Sequence, residues 1–306
     1  MIGRMSSLQL NQGSLSVILE AQARLQRTQE ELASGTNILT PSDDPISSAR
    51  IMAVQSELSR IETYQRNADL ANQELRLTED ALASIEDVLL RVKQLAVQGN
   101  NGTLNDQDKR TIAQEISGLR EQLVSISKSK SISGEFIFSG SRTDLAPFEE
   151  IDGEMQYVGD DFVRSVNLAP AISFETRISG EAVFGLSGPD DQTLFETLAL
   201  LENTLFDTDL SGDQFAEAMG SSMSVLDVGF ERVTSQRAIL GSRMNRVDDQ
   251  MALNDGFNMR LQETLSGLKD LDYAKAISEM NLQMVALEAA QKAYTNTQGT
   301  SLFNYL

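Results

Sequence analysis

The chain has 306 residues, 41% of them hydrophobic, with no cysteine, histidine or tryptophan and a formal net charge of −20. That composition leaves enough apolar surface for a real core and excludes disulfides, thiolate zinc sites, cysteine nucleophiles and any serine–histidine–aspartate triad. The charge is uneven: residues 1–40 and 232–306 are each neutral, residues 41–144 carry −4, and residues 145–231 hold 18 acidic against 2 basic side chains, so the middle repels nucleic acid and anionic membranes while the ends approach copies of themselves freely.

In chain order, the first 30 residues offer Val17-Ile18-Leu19 as their longest apolar run. A cleavable secretion signal needs about 7–15 apolar residues and a membrane span about 18. The sequence therefore predicts no membrane insertion, and either a cytoplasmic chain or export without a cleaved signal. Leu8, Leu15, Ile18, Leu25 and Leu32 recur at spacings of 7, 3, 7 and 7, an a/d coiled-coil seam. Gly35 is placed to cap that helix, and a loop follows to about Asp43.

TPSDDPISSARI, residues 40–51, sets two aspartates before a proline. The residue before proline avoids the helical region, proline is welcome at the first helical position, and aspartate is a strong N-cap. Asp44 is read as a helix cap with Pro45 at the first position. A helix then runs from Ile46 to about Gln98, free of glycine, with Leu70, Leu77, Leu82, Ile85, Leu89, Val92 and Val97 as its recurring apolar residues. GNNGT, residues 99–103, is a turn. Asn105 caps a second helix whose Ile112, Ile116, Leu119, Leu123 and Ile126 let it fold back antiparallel on the first.

From Gly134 the period changes. GEFIFSG alternates apolar residues between glycines, and EMQYVGD, FVRSVNL and ISFETRI continue a strand-like texture to about residue 185. This is a small acidic β-rich insert that holds few seam residues, so it is expected to matter less than the ends. Helical texture resumes at TLFETLALLENTLF and is almost unbroken from Gln214 to Gln298. Ile277, Met280, Met284, Leu287 and Tyr294, at spacings of 3, 4, 3 and 7, repeat the seam of the N-terminus. The two ends are expected to pair with each other, with neighbouring copies, or with both.

The fold class expected is mainly α: a long antiparallel helical rod, a coiled-coil-like bundle built from both chain ends, with a small β-rich insert. Residues 1–40 form an N-terminal assembly helix and 41–134 the N-terminal rod helices. Residues 135–190 are the insert, 191–274 the C-terminal rod helices and 275–306 a C-terminal assembly helix. An enzyme of the two-carboxylate kind would have to use Asp43–Asp44, Asp160–Asp161 or Asp190–Asp191. Neighbouring residues on an extended segment point to opposite sides, and each pair stands beside glycine or proline, which suits a turn. The reading is no catalytic, metal or cofactor-binding residues, no cofactor and no enzyme.

LASGTNILTPSDDPISSAR, NADLANQELRLTEDAL and LAVQGNNGTLNDQDKRTIAQEI resemble the N-terminal part of the flagellin family of bacterial flagellar proteins. QRAILGSRMNRV and LDYAKAISEMNLQMVALEAAQKAYTNTQ resemble its C-terminal part. The resemblance spans residues 1–145 and 230–306. Within the family, GEFIFSGSRTDLAPF, GEMQYVGDD and the terminal SLFNYL are similar to the branch at the junction of hook and filament. TLSGLK stands where filament flagellins carry other blocks; Ile46 and Val247 depart from the broader family pattern. The resemblance implies a structural subunit that self-assembles into a ring, meets another hook-associated protein on one side and flagellin on the other, and is exported by the flagellar type III route with an export chaperone. It implies an extracellular place on the flagellum and termini that fold on assembly. The alternatives are filament flagellin itself and a coiled-coil scaffold unrelated to flagella.

Overall fold

A computed structural model describes residues 7–151, 153–162, 164–186, 192–207 and 210–299, with the side chains of residues 7–11 and 297–299 outside that description. The fold is mainly α, as the sequence predicts, with two small antiparallel sheets. The chain divides into two units: Met1–Arg60 with Phe257–Leu306, here the terminal unit, and Ile61–Gly256, the central unit.

The terminal unit holds α1 (Ser7–Ser34), the start of α2 (Pro45–Gly99), the end of α6 (Gly212–Lys269) and α7 (Tyr273–Gly299). α1 and α7 pack along each other. α1 stops at Gly35, whose φ of +69° is a left-handed conformation that glycine adopts without a Cβ penalty. The sequence predicts an almost wholly helical stretch from 214 to 298, and the structure breaks it at residues 270–272. The Lys269 carbonyl accepts from the Asn37 N–H at 2.8 Å, and the Leu271 N–H donates to the Gly35 carbonyl at 3.1 Å. The α1–α2 loop thus takes the backbone groups that would have continued the helix, and Asp272 restarts it by accepting from the Lys275 N–H at 3.1 Å.

The central unit contains the core. In α2 the buried positions include the run Ala68, Ala71, Leu75, Thr78, Leu82, Ile85, Leu89, Val92 and Ala96, at alternating spacings of 3 and 4, flanked by Ile61, Ala81, Val88 and Leu95. The expected stripe is corrected at its edges: Leu70 and Val97 are exposed, because the small residues Ala68 and Ala71 beside the first and Ala96 beside the second occupy the inward positions. α3 (Asp106–Ser127) adds Ile112, Ile116 and Leu123, and α5 (Leu194–Phe206) adds Leu194, Leu198, Leu201 and Leu205. α6 adds Met219, Leu226, Val233, Leu240 and Val247 at an unbroken spacing of 7. Asn105 caps α3 through the Asp108 N–H, and Thr193 with Glu196 forms a capping box on α5.

Between α3 and α5, β1 (Phe148–Ile151) pairs with β2 (Glu154–Tyr157) with Phe148 opposite Tyr157. β3 (Ser165–Ala169) pairs with β4 (Ile172–Glu175), with a bulge between Asn167 and Ala169. GEFIFSG is not a strand. Its polar groups go to several distant segments instead of one ladder: the Ser139 hydroxyl donates to the Leu145 carbonyl, and the Phe138 carbonyl accepts from the Gly180 N–H and the Tyr157 hydroxyl. Gly140, at φ +68°, turns the chain where a Cβ would lie 2.0 Å from the Asp160 carbonyl oxygen. The apolar run in that segment serves burial without alternating: the consecutive Ile137 and Phe138 both enter the core. Phe138 meets Phe184 edge-on, and Phe184, from the short α4 (Gly180–Phe184), stacks on Phe195. The insert is therefore no mere appendage, since Phe148, Leu168 and Phe174 belong to the same core cluster.

Candidate assembly surface

The seam read from the two chain ends falls on α1 and α7. Ile18, Leu25 and Leu32 are half-buried on α1, as are Met280, Leu287 and Tyr294 on α7. Leu15, Ile277 and Met284 remain exposed, Leu15 at 47%. The side chain of Leu8 lies outside the described residues. The helices also carry exposed apolar residues that the seam does not contain: Val17 and Leu19 on α1, and Leu282 (69%) and Val285 (65%) on α7. α7 thus shows apolar side chains around most of its circumference, the pattern of a helix buried on several sides. The signal for this was present in Val17-Ile18-Leu19, but a single seam explains only one of those three positions.

Among the described residues of the terminal unit, Leu58 and Ala276 are the only buried apolar side chains. At ~25 cal/mol per Å² of apolar area removed from water, a helix pair with half-buried contacts gains little. Fixing each backbone residue costs ~1–2 kcal/mol. The pair is short of burial by itself.

The base of this surface is tightly specified. The left-handed φ of Gly35 strains any other residue there, and a Cβ would also lie 2.7 Å from the Tyr273 hydroxyl at the start of α7, so the position favours glycine. Pro45 opens α2, and Asp44 Oδ1 accepts from the N–H groups of Ile46 and Ser47 at 3.1 and 3.0 Å. The Ser47 hydroxyl donates to Asp44 Oδ2 at 2.6 Å. That hydroxyl first, and the two amides, hold the Asp44 carboxyl below the usual carboxylate range. Asp43 does separate work. Its carboxylate accepts from the Thr40 N–H at 2.9 Å, which chiefly lowers its pKa, and pairs with Arg27 of α1 at 3.1 Å. Asp43 ties the loop back to α1, and Asp44 starts α2.

Of the other aspartate pairs, Asp160 braces a turn. It accepts from the Ser141 hydroxyl and from the N–H groups of Ser141 and Phe162, and these bonds lower its pKa, the hydroxyl most. Asp190 and Asp191 lie outside the described residues. Among the described residues, no three acidic side chains gather in a way that could hold a metal ion. What this geometry can do is present apolar helix faces at a fixed base.

Comparison with known proteins matches residues 5–143 to the bacterial flagellin N-terminal helical region and residues 223–306 to the bacterial flagellin C-terminal helical region. The chain is 27% identical to flagellar hook-associated protein 3 of Escherichia coli K12 over 98% of each chain. A putative flagellar hook-associated protein from Vibrio parahaemolyticus superposes with a TM-score of 0.69 and 22% identity over 74% of this chain and all of that one. The flagellar junction protein FlgL from Legionella pneumophila gives 0.62 and 18% over 72% of this chain and all of that one.

Proposed function

Because this chain belongs to the flagellin family, we propose that it is a structural subunit of the bacterial flagellum that joins the hook, through another hook-associated protein, to the flagellin filament. Full-length similarity to a hook-associated protein 3 supports the junction in preference to the filament. The observation that carries the reading is the terminal unit, which buries only Leu58 of α2 and Ala276 of α7 among its described apolar residues. Such helices gain their burial from neighbours, so the chain self-assembles into a ring through α1 and α7. It acts by packing and not by catalysis. Its place is extracellular, reached by the flagellar type III route with the help of an export chaperone. The acidic central segment keeps the assembled surface solvated.

Electron microscopy of a strain lacking this chain tests the reading. Hooks without filaments, with flagellin shed into the medium, are expected. Normal filaments on that strain would refute the junction role. The chain on sheared flagella, confined to the hook–filament boundary, separates it from a filament flagellin.

A further inference from the structure

Asn101 is followed by Gly102, the one asparagine–glycine pair in the sequence. The pair sits at the tip of the turn that joins α2 to α3, and both residues are exposed. The turn closes through the Asn101 N–H to the Gln98 carbonyl and the Leu104 N–H to the Asn101 carbonyl, each at 3.1 Å. Asn101 Oδ1 accepts from the Thr103 N–H at 3.2 Å and from the Thr103 hydroxyl at 3.0 Å. Between those bonds the Gly102 N–H is left to solvent, with no hydrogen-bond partner among the described residues. A Cβ on Gly102 would meet nothing within 4 Å, so the approach to it is open.

The parts of an internal acyl transfer are therefore adjacent. The nucleophile is the Gly102 backbone nitrogen, whose N–H no other bond holds. The electrophile is Asn101 Cγ, and two donors point at the oxygen on which negative charge develops when it is attacked. Gly102 has no Cβ to obstruct the five-membered ring that must close. Neighbouring and helical asparagines lack these features. Asn100 precedes Asn101, which carries a Cβ and gives its N–H to Gln98. Asn254 lies inside α6, where the helical ladder holds the next N–H.

We propose that Asn101 is a site of spontaneous deamidation that the folded turn supports. A base in solvent takes the Gly102 amide proton, and the nitrogen's electron pair forms a bond to Asn101 Cγ. The Cγ–Nδ2 bond breaks, and the side-chain nitrogen leaves as ammonia with a proton from water. The succinimide so formed takes up one water. Opening between Cγ and the Gly102 nitrogen gives aspartate. Opening at the backbone carbonyl gives isoaspartate, through whose side chain the main chain then runs. The sum is amide and water to acid and ammonia, with no oxidant or reductant. Either product places a carboxylate just past the C-terminal end of α2, where the helix dipole disfavours negative charge. Isoaspartate also adds a methylene to the backbone of a closely seated turn. A Cβ at Gly99 would lie 2.7 Å from Leu205 of α5, and Leu104 packs against the core. Ageing at Asn101 therefore loosens the connection between α2 and α3.

The purified full chain, held for days in mildly alkaline buffer, provides the test. Samples are digested with trypsin and mapped by mass spectrometry with electron-transfer fragmentation, which tells isoaspartate from aspartate, with an unaged sample as the blank. Cleavage after Lys93 and Lys109 releases QLAVQGNNGTLNDQDK, and the same peptide, synthesised, is the unfolded control. The expected result is conversion of amide to acid at Asn101, with isoaspartate among the products, while Asn100 and Asn105 stay amides. The folded chain should convert no more slowly than the free peptide. Gly102→Ala should slow conversion several-fold in both, whereas Thr103→Val should slow it in the folded chain alone. The aged chain should unfold at a lower urea concentration than the fresh one. Conversion in the peptide but not in the folded chain would overturn the proposal, because the turn would then shield the amide. Equal rates in the folded wild type and Thr103→Val would overturn the part given to the Thr103 hydroxyl. An unchanged urea midpoint after ageing would overturn the loosening of the turn.

Discussion

The two units use the same kind of sequence to opposite ends. In the central unit, α2 turns every inward position of an alternating 3–4 repeat into buried surface, and Leu75, Leu82, Ile85 and Leu89 are fully enclosed. In the terminal unit, α1 and α7 carry repeats of the same spacing, yet Leu25 and Leu287 are only half-buried and Met284 is exposed. Periodicity therefore says which residues want a partner. It does not say whether the monomer supplies one. The residues of α2 share one buried cluster with α3, α5, α6 and the inserted strands, whereas α1 packs along α7 and buries no apolar side chain among its described residues.

The largest effect expected is loss of assembly. Met284→Asp or Leu25→Asp puts a charge where the assembled state is apolar, which costs several kcal/mol when the charge is buried unpaired. The monomer should melt near the wild type while the exported protein fails to hold filament. A monomer that melts well below the wild type would place these residues in its own core. Next, Leu82→Ala in the central unit should cost ~2–5 kcal/mol in urea unfolding, while Leu25→Ala should cost much less. Equal costs would erase the contrast between the units. Thr193→Ala, which removes the α5 capping box, should cost ~1 kcal/mol.

A pH dependence sharpens the picture of the central unit. Hydrogen bonding from Arg177 holds the Glu135 carboxyl below the usual range. A depressed carboxylate stabilises the fold fully above its unfolded pKa, and that contribution is lost as pH falls through the folded value. The melting difference between wild type and Glu135→Gln should therefore shrink as pH drops from about 7 toward about 3. A difference independent of pH would mean that the ion pair contributes nothing. The smallest effect is at Ala171, the only residue other than glycine with positive φ among the described ones, at 60° in the β3–β4 turn. Ala171→Gly relieves that conformation but loosens the unfolded chain, for a net gain of roughly 0.5 kcal/mol. A loss of stability would show that the Ala171 methyl has packing value.

Local signals were legible in the sequence because their physics is local. Asp44 before Pro45, Asn105 before an acidic first turn and Gly35 after a leucine repeat each mark a helix end within four residues. The α2 core was partly legible: Leu82, Ile85, Leu89 and Val92 were, but Ala68 and Ala71 were not, since alanine signals burial weakly. The heptad of Met219, Leu226, Val233, Leu240 and Val247 lay open to a count by sevens, yet the whole stretch reads as undifferentiated helix. GEFIFSG misled because its consecutive apolar residues report burial on two sides and not a ladder. The break at residues 270–272 depends on Gly35 and Asn37, more than 230 residues earlier. The meeting of Arg164 and Arg177 with Glu74 and Glu135 is likewise a product of the folded chain, invisible to any window.

Hydrogen exchange on the dilute monomer and on the assembled flagellum tests the central claim most directly. The expected result is slow exchange at Leu82 in both states, with fast exchange at Leu25 and Leu287 in the monomer and strong protection there only after assembly. Equal protection of all three amides in the dilute monomer would contradict it, because the terminal helices would then hold themselves without neighbours.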